Sequence, residues 1–103
     1  YAKDYVETAH KIMQRAKPDI FVIASGKSHS VEYFTKKCFQ YVGLNYKKYL
    51  RINKKLLRKS KTVSLIGDTN KARRNFNYKT KTNLNELISI MMDNDLKIES
   101  GIK

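Results

Sequence analysis

The sequence predicts an α/β chain, in the form of an α+β fragment with elements in the order α-β-α-β-β-α-α. Apolar residues recur every three or four positions over 4–16 and 84–92, which is typical of helices that bury one face. Between them, residues 20–24 (IFVIA) are a continuous apolar run of strand length. Such a run is typical of a strand covered on both faces in a parallel sheet. The first helix and this strand therefore have the pattern of the last piece of a sheet that begins elsewhere.

Helix-capping and helix-breaking residues predict where the first elements begin and end. Pro18 stops the first helix, because the residue before a proline is excluded from the helical conformation. Ser30 is an N-cap for a second helix, with Glu32 in its positively polarised first turn. That helix ends at Gly43, a typical residue just beyond a helix C-terminus.

The second half begins with a short strand expected at 49–52. A basic connector, 53–61 (NKKLLRKSK), leads to a second apolar segment at 63–66. Asp68 is expected to cap a helix over 69–76, and Thr82 to cap the last helix. The buried stripe of that last helix is predicted to comprise Leu84, Leu87, Ile88, Met91 and Met92.

Length and composition restrict the class of protein. The chain has 103 residues, enough for one domain, and 41% of them are hydrophobic, which favours folding over disorder. The single Cys38 excludes an internal disulfide and fits a reducing cytosol. No apolar run approaches the roughly 18–20 residues of a membrane span, so a membrane is not an expected partner. The chain opens on YAKDYV without Met, and we expect a fragment of a longer protein.

The charge balance is strongly basic, with 22 Lys and Arg against 9 Asp and Glu and a formal net charge of +13. Such an excess is typical of nucleic-acid binders. The basic pairs are however scattered along the chain, which favours a solvated surface. Nucleic acid is therefore not the expected partner, although a basic nucleic-acid-binding module remains a rival hypothesis. The pairs are Lys36–Lys37, Lys47–Lys48, Lys54–Lys55 and Arg73–Arg74.

The sequence contains no self-contained catalytic machinery that we can identify. It lacks the glycine-rich phosphate loops, and neither His10 nor His29 has partners at zinc-ligand spacing. His29 follows a predicted strand, where ligands bind in open α/β sheets, but a role in the capping loop is the preferred interpretation. Cys38 lies on the apolar side of its helix, as a small core residue does.

The basic connector is the best binding candidate from chemistry alone. Arginine grips phosphate through two planar hydrogen bonds, and lysine supplies a compact charge. A diphosphate and a nucleic-acid backbone would both fit it, but this segment taken alone favours a solvated loop. Its cations are Lys54, Lys55, Arg58, Lys59 and Lys61.

Three groups of residues occur in the order of a known family. The first is A-x-D-Y-V at 2–6, and the second is A-S-G-x-S-H-S-V-x-x-F at 24–34. The third comprises Lys55, Arg58, Leu65, Gly67, Asp68, Lys71 and Ala72. With these residues the chain resembles the C-terminal part of GDP-mannose 4,6-dehydratases, which are extended short-chain dehydrogenase/reductase enzymes. The resemblance covers about residues 2–97.

The resemblance implies a division of labour within a longer parent. Residues 1–25 would be the last helix and strand of a Rossmann sheet, and 26–103 the C-terminal domain that binds the sugar nucleotide. The N-terminal Rossmann portion would bind NADP and carry a Ser/Thr-Tyr-Lys catalytic set, none of which is expected in this chain. The GDP-sugar substrate would contact Arg58, Lys55 and Lys61. The parent would be a cytoplasmic homo-oligomer that converts GDP-mannose to GDP-4-keto-6-deoxymannose.

Departures from the family pattern leave alternatives open. The family glutamate that holds the nucleotide ribose is Lys61 here, and lysine has donors only. The preferred interpretation is that Lys61 points to solvent, so that ribose contacts are lost; the alternative is that Lys61 reaches a phosphate as a second cation beside Arg58. The sequence leaves two explanations of this departure open, altered nucleoside contacts and an inactive relative. The rival hypotheses for the function are a related nucleotide-sugar epimerase or reductase and a noncatalytic domain that serves only in assembly.

Overall fold

The computed structural model describes residues 1–59 and 63–101. The helices are α1 (Ala2–Met13), α2 (Val31–Tyr41), α3 (Asn70–Phe76) and α4 (Leu84–Glu99), and two 3₁₀ turns lie at Tyr46–Lys48 and Lys54–Leu56. The chain divides into two compact units, the first formed by 1–28 with 65–87 and the second by 29–64 with 88–103. No helix in the described ranges is long and apolar enough to cross a bilayer. The parent's domain boundary, predicted between 25 and 26, stays a prediction.

The predicted limits of α2 are confirmed. The Ser30 hydroxyl accepts a hydrogen bond from the Tyr33 amide at 3.0 Å, as an N-cap does. At the other end Gly43 adopts a left-handed conformation, with φ +72°. There Leu44 N donates to Phe39 O at 2.9 Å and Gly43 N to Gln40 O at 3.1 Å. This pair of bonds is a Schellman motif, which satisfies the last carbonyls of the helix.

The described residues contain no strand, so the sheet part of the predicted α/β class stays a prediction. A strand needs a neighbour that pairs with its backbone N–H and C=O groups. Several apolar side chains of the segments concerned face solvent, with Ile20 83% and Leu65 86% exposed, whereas Phe21, Ile23 and Ala24 are half-buried. The segments expected to be strands are 20–24, 49–52 and 63–66.

Aromatic side chains join the 20–24 segment to α3 in the first unit. The Phe21 ring meets Phe76 edge-on, with centroids 5.1 Å apart, and Phe76 meets Tyr78 at 6.3 Å. Tyr78 is buried, and its hydroxyl donates to the Ala24 carbonyl at 3.0 Å. These contacts fix the apolar segment against α3 through side chains instead of backbone pairing.

Two cations complete the attachment around Phe21. Lys71 Nζ lies 5.0 Å from the ring centroid, and the Arg15 guanidinium carbon lies at the same distance. Lys71 also pairs with Asp19 at 2.7 Å and donates to the Ile20 carbonyl at 2.9 Å. The hydrogen bond from Lys71 lowers the pKa of Asp19. Lys71 of α3 therefore holds the segment that follows Pro18.

The helix caps in the second half of the chain follow the prediction in part. Asp68 accepts a hydrogen bond from the Asn70 amide at 3.0 Å at the start of α3, but the N-cap position itself is held by Thr69, whose side chain forms no cap bond. At α4 the predicted cap, Thr82, is wrong: Asn83 Oδ1 accepts from the Glu86 amide at 2.9 Å. The Thr82 amide instead donates to Asp4, which belongs to α1.

The second unit is held by side chains of α2. The Phe39 ring lies parallel to that of Tyr49, with an interplanar angle of 6° and centroids 5.5 Å apart. The Tyr41 hydroxyl donates to the Asp93 carboxylate of α4. These two contacts attach the residues after α2 and the second half of α4 to the same helix.

Candidate functional site

The cationic segment predicted to bind phosphate is ordered by a local cap. The Asn53 side chain accepts a hydrogen bond from the Lys55 amide at 3.0 Å, which closes the 3₁₀ turn Lys54–Leu56. Leu57 then leaves the turn in an extended conformation, with φ −68° and ψ 131°. An asparagine that bonds the backbone two residues ahead is a standard way to start such a turn. The backbone thus changes direction immediately before Arg58.

The predicted ligands Lys55 and Arg58 both lie on this exposed segment, within three residues of each other. The third, Lys61, lies outside the described residues. Among the residues described, neither Lys55 nor Arg58 forms an ion pair with a carboxylate. An exposed guanidinium and ammonium without a carboxylate partner are available to a phosphate ligand. Leu56 and Leu57, between the two cations, are largely exposed as well.

The His29 loop takes the structural role that was preferred from the sequence. The His29 ring stacks on Tyr33, with centroids 5.3 Å apart and an interplanar angle of 19°. Within the same loop the Ser25 hydroxyl accepts from the Lys27 amide at 3.3 Å and donates to its carbonyl at 3.1 Å. The loop side chains are thus used in turn formation and stacking.

One catalytic spacing was missed in the sequence. Tyr33 and Lys37 have the Tyr-x-x-x-Lys spacing of the family's catalytic set, so the expectation that this set is wholly absent needs correction. The Lys37 ammonium lies over the face of the Tyr33 ring, 5.5 Å from its centroid, and the ring also stacks on His29. This is a cation–π contact on an aromatic stack. We assign the pair to packing.

A cleft of about 210 Å³ lies in the first unit, between α1 and residues 76–81. Asp4, 5% exposed, accepts hydrogen bonds from the amides of Lys81 at 3.1 Å and Thr82 at 3.0 Å. Glu7 pairs with Lys81 at 2.9 Å, and that hydrogen bond lowers the pKa of Glu7 and raises the pKa of Lys81. The acidic groups of the cleft are therefore engaged in holding the chain before α4.

The sequence does not contain a glycine-rich loop of the kind that binds a dinucleotide. Its four glycines, Gly26, Gly43, Gly67 and Gly101, do not have the spacing of a phosphate-binding loop. At Gly67 the space that a Cβ would fill is closed by Ala24 and Val22, so no cradle for a phosphate opens there. The expectation that NADP binds outside this chain stays a prediction.

Comparison with known proteins decides the family. The family model for GDP-mannose 4,6 dehydratase matches residues 1–91. The chain belongs to this family. It is 38% identical over 98 residues to GDP-mannose 4,6 dehydratase 1 of Arabidopsis thaliana. The aligned region covers 95% of this chain and 27% of that relative. It is 31% identical over 121 residues to the Dictyostelium discoideum protein, covering 100% of this chain and 34% of the relative.

The human GDP-mannose 4,6 dehydratase is 30% identical over 115 residues, which cover 95% of this chain and 31% of that protein. The chain thus spans about a quarter to a third of the length of these family members. The family that the sequence motifs indicated is confirmed.

Proposed function

We propose that this chain is the C-terminal, substrate-binding part of a GDP-mannose 4,6-dehydratase. The observation that carries the proposal is the family match over residues 1–91, together with an exposed Arg58 and Lys55 on one capped segment. The parent would convert GDP-mannose to GDP-4-keto-6-deoxymannose with the loss of one water. In this assignment the chain binds and orients the nucleotide end of the substrate.

Arg58 would hold the diphosphate. Its guanidinium can donate two parallel hydrogen bonds to phosphate oxygens, and Lys55 would add a second positive charge. Lys61 stands where the family has its ribose-binding glutamate, so we expect the ribose to lose one acceptor. The nucleotide would then be held mainly by its phosphates.

The partner of this chain would be the N-terminal Rossmann portion of the same protein. That portion would bind NADP, which supplies hydride transfer when bound. Residues 20–24 would add a strand to its sheet, since the Ile20 and Val22 side chains are exposed and Val22 and Ala24 lie beside Gly67. We further propose that the parent is a cytoplasmic homo-oligomer.

The proposal is tested by an isotope experiment on the full-length protein. GDP-mannose that carries deuterium at C4 is incubated with enzyme and NADP, and the product is analysed by NMR. A 4,6-dehydratase moves the C4 hydrogen to C6, so deuterium is expected in the C6 methyl group. An epimerised sugar that retains its C6 hydroxyl would support the related-epimerase hypothesis instead. Unchanged substrate would support an inactive relative.

A further inference from the structure

One stretch of the chain carries only positive charge. Residues 33–67 contain no Asp or Glu, and the nearest acidic residues on either side are Glu32 and Asp68. The ten cations of this stretch are Lys36, Lys37, Lys47, Lys48, Arg51, Lys54, Lys55, Arg58, Lys59 and Lys61. Such a run repels other cations and attracts polyanions.

The structure gathers the first of these cations around α2. Lys36 of α2 and Lys47 of the first 3₁₀ turn line one cleft of about 380 Å³. The acidic residue on α2, Glu32, accepts a hydrogen bond from the Tyr46 hydroxyl at 3.1 Å. The two ion pairs found among the described residues both lie in the first unit. Within the described part of the chain, Lys36 and Lys47 therefore have no carboxylate oxygen within 4.0 Å of their ammonium groups.

Aromatic rings are interleaved with these lysines. Tyr49 is 56% exposed, and its ring is supported by the parallel ring of Phe39. Tyr33 is backed by His29 and flanked by Lys37. A flat, exposed, supported ring beside cations is the arrangement on which single-stranded bases stack.

We propose that this surface binds single-stranded nucleic acid, with the lysines on its phosphates and Tyr49 stacked on a base. We call it the α2 surface, formed by Tyr33, Lys36, Lys37, Lys47, Lys48 and Tyr49. A duplex keeps its bases stacked on one another and would use the cations alone, so the exposed ring favours a single strand. The proposal is independent of the proposed function, because it uses neither Arg58 nor Lys55.

This proposal departs from the expectation that nucleic acid is not a partner. In the sequence Lys36 and Lys47 are eleven positions apart and read as scattered charges. The Schellman motif at Gly43 turns the chain back, so that both lysines line the same cleft. The local sequence pattern could not predict that these two lysines share a cleft.

The test is fluorescence anisotropy with the full-length protein and a labelled 20-nucleotide oligo(dT), over a range of salt concentrations. Neutralising about three phosphates predicts a slope of log affinity against log salt near −2. The double variant Lys47→Gln/Lys48→Gln is expected to make that slope shallower by about 1.4. Tyr49→Ser is expected to weaken binding about tenfold, whereas Tyr49→Phe, which keeps the ring, should bind like the unmodified protein.

The matched control is Lys3→Gln/Lys17→Gln, which removes the same charge from exposed positions in the first unit. If this control changes the slope as much as the Lys47/Lys48 pair does, the α2 surface is not the site. Equal affinity for a 20-base-pair duplex would also overturn the proposal, since stacking would then contribute nothing. Circular dichroism identifies an unfolded Tyr49→Ser variant, and in that case the lysine pair decides.

Discussion

The buried carboxylate of Asp4 organises the chain just before α4, although Lys81 lies 77 positions further along the sequence. Its Oδ2 atom accepts hydrogen bonds from the Lys81 and Thr82 amides, so two backbone donors that no helix satisfies are paired. Hydrogen bonds to a charged group contribute about 1.5–3 kcal/mol each. The aspartate of the A-x-D-Y-V motif therefore has a structural role in this chain.

Gly67 illustrates a second constraint at the scale of one residue, the close approach of two segments. A Cβ at this position would lie 2.8 Å from Ala24 Cβ and 3.2 Å from Val22 Cγ1. We predict that Gly67→Ala destabilises the protein by about 1–3 kcal/mol, the usual cost of overpacking. Thermal or urea unfolding measures this change.

The double variant Gly67→Ala/Ala24→Gly provides the control for that prediction. Removing the Ala24 methyl group relieves the shortest contact, so part of the lost stability should return. If the double variant is as unstable as the sum of the two single variants, the close approach is not the cause.

At the scale of the element, the C-terminus of α2 depends on a left-handed residue. Gly43 has φ +72°, a conformation that costs a residue with a Cβ roughly 1–2 kcal/mol. We predict that Gly43→Ala lowers the free energy of unfolding by about 1 kcal/mol. Gly43→Asn is expected to lose less, because asparagine tolerates this conformation better. Equal losses for the two variants in urea titrations would contradict the assignment.

The contact between α2 and α4 has a signature in its pH dependence. The Tyr41 hydroxyl donates to Asp93, and this hydrogen bond raises the pKa of Tyr41 above its ordinary value of about 10. A raised pKa contributes stability that is complete below the ordinary value and is lost as pH rises through the folded value. We predict that Asp93→Asn moves the pKa of Tyr41 back towards 10, as followed by NMR.

Tyr46 is the internal control for this titration. Its pKa is raised in the same way, by a hydrogen bond to Glu32, and both residues belong to the second unit. Asp93→Asn should leave the pKa of Tyr46 unchanged. A pKa of Tyr41 that does not move in this variant would show that Asp93 is not its partner.

The helices could be predicted from the sequence because their signals are local. Periodicity, the Ser30 cap and the Gly43 turn each act within a few residues of the chain. The start of α4 was misassigned to Thr82, since the contact with Asp4 is invisible to a local pattern. The strands stay predictions because an apolar run specifies strand length but not the neighbour that pairs with it.

The candidate phosphate site at Lys55 and Arg58 stays a prediction from the chemistry of its side chains. The structure adds the Asn53 cap, which explains how the backbone of Lys55 is positioned. The cleft shared by Lys36 and Lys47 was not predictable, because it depends on how the chain folds back after α2.

At the scale of the whole molecule, few apolar side chains are buried. The buried hydrophobic residues described are Ala72, Tyr78 and Ile88, whereas most of the 20–24 and 63–66 side chains face solvent. Each exposed aliphatic side chain forgoes about 1.5–3 kcal/mol of burial. The relatives are about three to four times as long as the matched region. Under our proposal, the Rossmann portion of the parent protein covers these apolar faces.

We predict that the 103-residue chain by itself binds no NADP and has no dehydratase activity. The reason is the absence of a glycine-spaced phosphate loop from its sequence. Titration of NADPH fluorescence with the purified chain checks the binding, and the full-length protein is the positive control. Turnover by the chain, freed of any longer protein, would contradict the division of labour that we propose.

The central claim is that Arg58 holds the diphosphate of a GDP-sugar, and calorimetric titration of GDP-mannose into the full-length protein tests it most directly. Arg58→Ala is expected to raise Kd about tenfold or more, since a charge-assisted hydrogen bond of about 1.5–3 kcal/mol is lost. The exposed Arg74 on α3 is the matched control, and Arg74→Ala should leave Kd unchanged. GDP should lose affinity for the Arg58→Ala protein as GDP-mannose does. The same Kd in the unmodified and Arg58→Ala proteins would contradict the claim.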